Sequence, residues 1–389
     1  MSIDTQILHL PNAPEDPFYS DAAPIYQTAG FHVDIDQGLD QPYFYSRIEN
    51  PTRMALQRQL AVLDNACYAH ASTSGLSAIN TVLSLLQSGD EIIFNNCIYG
   101  GTYSLLKKIA EPKGIKIKQV DMRNIEAIKK VISPSTKLIF MESPSNPVHH
   151  ICDIRAVVKL AKNNNILTAV DNSLVSSYFQ KPLDLGVDFT IQSATKYLCG
   201  HGDITAGVIS VASKANEEKI KTLIYGQGNA LSPHDSWLLH RSIKTLGLRM
   251  RQQQQNAIAA AKYLSTQSII PQVHYLGLES HPQHELHLSQ ASGFGAMISF
   301  NTPSIEFSKA FIKNAKGFFK TTSSFGSISS SLSLPATMSH YAVFGCKDAV
   351  KSFTPDLVRL SIGIEDESDI IQALDQALHH TIKDISRLI

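Results

Sequence analysis

Residues 193–207 read SATKYLCGHGDITAG. One lysine, Lys196, stands among small, hydroxylated and glycine residues, with Ser193 and Thr195 before it and Gly200, Gly202 and Gly207 after it. A solvated surface lysine needs no such surroundings. A lysine that must lie close to a flat ligand does, because bulky neighbours would block the approach. The run just before it, VDFTIQS (187–193), reads as a short apolar strand, so the lysine follows a strand end by three residues.

The same alternation extends in both directions. GLSAINTVLSLL (75–86) reads as helix, DEIIFNN (90–96) as strand, GTYSLLKKIAEP (101–112) as helix and IKIKQVD (115–121) as strand. IEAIKKVI (125–132) and DIRAVVKLAKNN (153–164) are helical, whereas KLIFMES (137–143), ILTAVDNS (166–173) and AGVISVAS (206–213) are further apolar strands. Short apolar runs alternating with amphipathic helices imply βαβ units and a mainly parallel sheet. Upstream, RMALQRQLAVLD (53–64) places Leu56, Leu60 and Leu63 at helical spacing. Residues 1–50 carry Pro11, Pro14, Pro17, Pro24 and Pro42 without a sustained period and read as an arm. Downstream, a long helical region (237–264) precedes GAMISFN (295–301), SIEFSKAFIKNA (304–315), LVRLSIGI (357–364) and a terminal helix. These elements predict an arm over 1–55, a large α/β domain over 56–250 and a smaller C-terminal α/β domain over 251–389.

Composition narrows the function. Hydrophobic residues make up 43% of the 389 and charged residues 17%, below the usual quarter, so much surface is expected to be hidden in a core or between subunits. Lys+Arg and Asp+Glu are both 34, which leaves no basic stripe for nucleic acid. No apolar run approaches the roughly 20 residues of a membrane span. The N-terminus lacks the pattern of a signal peptide. The five cysteines, Cys67, Cys97, Cys152, Cys199 and Cys346, are widely spaced with no CxxC, as expected of free thiols in a cytoplasmic protein. His281, His284 and His287 in SHPQHELH read as a solvated loop rather than a metal site.

In open α/β sheets, ligands bind beyond the carboxyl ends of the strands. Three predicted strands end in polar groups there, which brings Asn146, Asp171 and Lys196 to one rim. A desolvated lysine loses its proton more easily and is prepared for Schiff-base chemistry. A Schiff-base lysine beside an aspartate suggests pyridoxal 5′-phosphate (PLP), whose pyridine nitrogen is kept protonated by an acid. Asp171 suits that role, and equally suits a turn cap. Ser74 and Gly75 stand where a helix begins, and helix N-termini bind phosphate, although STSG also fits an ordinary N-cap. Ser193 and Thr195 offer further hydroxyls. Tyr99 follows another strand end and is either a stacking ring or a core tyrosine. Arg359 interrupts an apolar strand, and is either a carboxylate fork or an edge residue facing water.

Together these residues resemble the PLP-dependent enzymes of cysteine and methionine metabolism, nearly end to end. The matching text is PIYQTAGF, YSRIENPT, TSGLSAI, YGGT, ESPSNP, VDNS, SATKYLCGHGD, LSPHD, HPQHE, PATMSH and LVRLSIGIED. The resemblance implies PLP-dependent transferase fold type I (aspartate-aminotransferase-like), with a sulfur-containing amino acid as substrate and a homotetramer built from two active dimers. It implies that Lys196 holds the cofactor and then acts as base, that Asp171 pairs with the pyridine nitrogen and that Tyr99 stacks on the ring. Gly75, Leu76, Ser193 and Thr195 would hold the phosphate, completed by Tyr45 and Arg47 from a neighbouring subunit. Asn146, Ser324 and Arg359 would hold the substrate carboxylate, with Asn146 also near the ring hydroxyl. The arm is then expected to be extended against a partner.

Departures from the family pattern bear on specificity. Members that cleave the γ-carbon–sulfur bond of cystathionine carry two glutamates near the distal amine, where this chain has Phe44 and Ser323. The loop motif SLGG reads SFGS here. Members acting on methionine carry a cysteine at the place of Gly101 and a lysine–aspartate pair at the place of Ile224 and Tyr225. The expectation is therefore β-elimination from cystathionine, ahead of γ-elimination from cystathionine or methionine, with γ-synthesis last.

Overall fold

The computed structural model describes residues 1–9, 18, 20–37, 41–344 and 352–387. Pro11, Pro14, Pro17 and Cys346 lie outside the described residues. The strands are β1 (Tyr68–Ser72), β2 (Glu91–Asn95), β3 (Lys116–Val120), β4 (Thr136–Glu142), β5 (Leu167–Asp171), β6 (Phe189–Ser193) and β7 (Gly207–Val211), followed by β8 (Gln272–His274), β9 (Met297–Asn301), β10 (Lys320–Thr321), β11 (Ser331–Ser333) and β12 (Val358–Ser361). The first seven form one sheet in the order β1-β7-β6-β5-β4-β2-β3. From β3 to β6 every pair is parallel, while β7 runs antiparallel to both β6 and β1. The parallel core follows from the residues: β2 is buried along its whole length, and β4 is buried except at Lys137. Strands covered on both faces read as unbroken apolar runs.

The remaining five strands form a second, smaller sheet, β10-β11-β12-β9-β8, antiparallel apart from the β10–β11 pair. One apolar cluster runs from Leu60 through Tyr197 and Met250 to Phe300 and Leu374, so both sheets share it. The helix Leu246–Thr266 crosses between them; its Gln253 amide donates to the carbonyls of Ser327 (2.9 Å) and Ile362 (3.0 Å).

Two expectations are corrected. The start of the arm is helical, not extended: Ile3–Leu8 forms a helix in which Ile7 is buried and its carbonyl accepts from the Gln59 amide of the same chain (3.2 Å). The histidine segment is also not a solvated loop. His284–Leu288 is a short helix, His287 is fully buried with Nε2 2.7 Å from the Gly293 carbonyl, and His284 stacks on Phe294. Gln283 fixes the segment by bonding both backbone groups of Ile151, at 2.9 and 2.7 Å. Gln283 and His287 thus bond protein backbone rather than water. Among the described residues no group of His, Cys, Asp or Glu could hold a metal ion, and no helix is long and apolar enough to cross a membrane.

Candidate active site

The carboxyl ends of β4, β5 and β6 lie side by side, with Glu142 in register with Asp171 and Asp171 with Ile191. Above that rim opens a cavity of about 230 Å³. Lys196, Tyr99, Gly75, Leu76, Asn146 and Asp171 line it, together with Ser193, Thr195, Ser323 and Arg359. Of the residues singled out in the sequence, the fold thus gathers ten around one hollow, although they are spread over more than 280 positions of chain.

Lys196 enters from the loop after β6. Its Nζ donates to the Ser324 hydroxyl at 2.9 Å and stands over the Phe325 ring, 5.1 Å from the centroid. Burial, and next the Arg359 charge, lower its pKa to about 8, against a smaller opposing pull from Asp171. A lysine so placed spends a useful fraction of its time as a neutral nucleophile. Asp171 is buried, accepts from the Ser173 hydroxyl (2.6 Å) and backbone (3.0 Å), and has its pKa raised by desolvation. A cationic ring nitrogen is the partner that would repay its burial.

Ser74 caps the helix Gly75–Leu83 by accepting from the Ser77 N–H (3.1 Å), which leaves the first backbone N–H groups free to face the cavity. The approach is tight. A side chain on Gly75 would meet the Ser193 Cβ at 2.8 Å, and one on Gly207 would collide with the Ser74 carbonyl. The helix terminus, the Ser193 and Thr195 hydroxyls and the Lys196 amine therefore line one cradle in which a phosphate and a flat ring fit.

Arg359 lies in the centre of the second sheet on β12 and is 2% exposed, which removes the edge-strand alternative. Its Nη1 donates to Asn146 Oδ1 (3.2 Å), and Nη2 donates to the carbonyls of Ser323 (2.8 Å) and Ser324 (3.2 Å). Burial lowers its pKa only to about 10, so it stays a cation. Ser324 thus serves Lys196 with its hydroxyl and Arg359 with its carbonyl, while the Ser323 side chain is exposed at the mouth.

Three residues of the expected site are not at this cavity within the chain. Arg47 is exposed, donates to the Tyr225 carbonyl (2.9 Å) and lies over the Tyr45 ring, with Phe44 beside them. Tyr45 is 43% exposed. Conversely, three cavity residues, Glu142, Ser173 and Phe325, escape a sequence reading, as does His340 behind Tyr99. Glu142 ends β4, Ser173 holds Asp171, Phe325 lies under both Lys196 and Arg359, and His340 packs edge-on to Tyr99 at 6.3 Å. Only Glu142 left a trace, as a carboxylate closing an otherwise apolar strand.

A buried, partly neutral lysine, an acid across from it, a glycine-opened helix terminus and a carboxylate-sized arginine fork define a PLP-dependent enzyme of the aspartate-aminotransferase-like fold. The chain belongs to the Cys/Met metabolism PLP-dependent enzyme family, whose model matches residues 4–379. It is 40% identical to the chloroplastic cystathionine beta-lyase of Arabidopsis thaliana over 97% of this chain and 80% of that protein. It is also 39% identical to the cystathionine gamma-lyase of Bacillus subtilis over 92% of this chain and 94% of that one. A crystal structure of cystathionine gamma-lyase from Lactobacillus plantarum complexed with L-serine superposes with a TM-score of 0.93 at 36% identity, covering 98% of this chain and 99% of that one.

Proposed function

We propose that the protein is a cystathionine beta-lyase: it splits L-cystathionine, with water, into homocysteine, pyruvate and ammonia. The observation that carries this reading is the mouth of the cavity, where Ser323 stands exposed and uncharged beside the Arg359 fork. A distal ammonium gains no carboxylate partner from that side chain. Gly101 argues against a methionine-cleaving member, since a side chain there would have to displace the Tyr99 ring. Relatives under both the beta-lyase and the gamma-lyase name have similar identity, so the decision rests on these residues.

The roles follow from position. Arg359 and Asn146 hold the substrate α-carboxylate. Pyridoxal 5′-phosphate, when bound, supplies the electron sink that makes the α-proton acidic. Asp171 would keep the proton on the pyridine nitrogen, Tyr99 would cover the ring face, and Gly75, Leu76, Ser193 and Thr195 would hold the phosphate. Lys196, held by Ser324 within reach of the cavity, takes the α-proton as general base. Tyr45, Arg47 and Phe44 reach the site of a neighbouring copy, in a homotetramer whose arms (1–55) contact the neighbouring subunit, with 56–250 as the large cofactor-binding domain and 251–389 as the small C-terminal domain. Free Cys67, Cys97, Cys152 and Cys199 fit a cytoplasmic setting.

Incubation with L-cystathionine and identification of the keto acid tests the reading. Pyruvate with homocysteine is the expected outcome. Predominant 2-oxobutyrate with cysteine assigns γ-elimination and contradicts it.

A further inference from the structure

Glu142 is 5% exposed, lines the cavity and has no part in the roles above. Its two oxygens are used separately. Oε2 accepts from the backbone N–H of Tyr99 at 2.9 Å, and Oε1 from that of Asn146 at 2.8 Å. Those residues sit on different loops, one after β2 and one after β4. Asn95, the last residue of β2, holds the Glu142 backbone from both sides, donating to its carbonyl (3.1 Å) and accepting from its N–H (2.9 Å). His340 closes the frame: its ring packs edge-on to Tyr99, and its Nε2 lies 3.0 Å from the Asn146 carbonyl. Asn146 in turn accepts from Arg359.

The geometry points to Glu142 as a positioning residue for the cofactor, one carboxylate that ties the loop bearing the stacking ring to the loop bearing the carboxylate-binding amide. This rests on the reading that the ring would lie against Tyr99 with its nitrogen at Asp171. A buried carboxylate beside Asp171 is costly: desolvation, and next the Asp171 charge, raise its pKa. Such a cost is carried where the carboxylate has work that an apolar side chain cannot do. Two acceptors within one rigid group fix the spacing of two backbone N–H groups, and no neutral side chain of the same size offers both.

Glu142→Gln keeps the shape but supplies one acceptor, so one N–H faces an amide donor. Glu142→Asp keeps the carboxyl group but is too short to span both. Each variant is expected to hold pyridoxal phosphate about tenfold more weakly than the parent holoenzyme, the scale of one lost buried hydrogen bond. The visible circular dichroism of the bound cofactor should change, because Tyr99 no longer sits squarely on the ring. In a Tyr99→Ala background the effect of E142Q should shrink to less than about threefold, since coupled residues do not add. Parent affinity and dichroism in either variant overturns the proposal, and so does an undiminished loss in the Tyr99→Ala background. Glu142→Asp decides the matter should E142Q not fold. Attachment of the cofactor to a different lysine would instead sink the reading of the site, a separable result.

Discussion

Lys196→Ala is expected to lower turnover of cystathionine by at least about a thousandfold, at the upper part of what a positioned acid–base group contributes. The variant loses the amine that Ser324 holds at 2.9 Å and with it the only lysine that lines the cavity among the described residues. The fold should survive, because the Nζ makes one side-chain bond and the backbone bonds of residue 196, from its N–H to Ser193 and from Gly200 to its carbonyl, remain. Steady-state kinetics with a far-UV spectrum and a melting curve separate the two effects. Full turnover by a folded Lys196→Ala enzyme would show that another group is the base.

Arg359→Lys is expected to lower kcat/KM about a hundredfold or more, mostly through KM. A buried charged hydrogen-bond partner of a ligand is worth about 2–5 kcal/mol when removed, and an ammonium cannot reproduce the fork of a guanidinium. Three acceptors, Asn146 Oδ1 and the carbonyls of Ser323 and Ser324, converge on Arg359, so its guanidinium plane is set before substrate arrives. Lysine retains the charge and limits the harm to the fold, whereas alanine would leave these acceptors unpaired. A KM within twofold of the parent would remove the carboxylate role from Arg359.

Much of this was readable along the chain. The parallel strands announced themselves as short apolar runs, because burial on both faces leaves no room for alternation. Asn146, Asp171 and Lys196 could be brought to one rim, since ligands gather at strand ends whatever the loops contain. What escaped was non-local or ran through the backbone. β1 carries His70 between alanines and has one exposed end, so it lacks the signature of its neighbours. Glu142 acts on N–H groups 43 and 4 residues away, and a backbone donor leaves no mark in a sequence. Phe325 reaches Lys196 only through the folding of the second sheet onto the first. The histidines at 281–287 misled because proline and polar residues usually mean solvent, whereas here Gln283 and His287 satisfy buried carbonyls.

The most direct measurement is reduction of the yellow holoenzyme with sodium borohydride, followed by proteolysis and mass spectrometry. Reduction fixes the cofactor to whichever amine holds it. The added mass is expected on the peptide containing Lys196, within SATKYLCGHGDITAG, and its appearance on any other lysine would contradict the account.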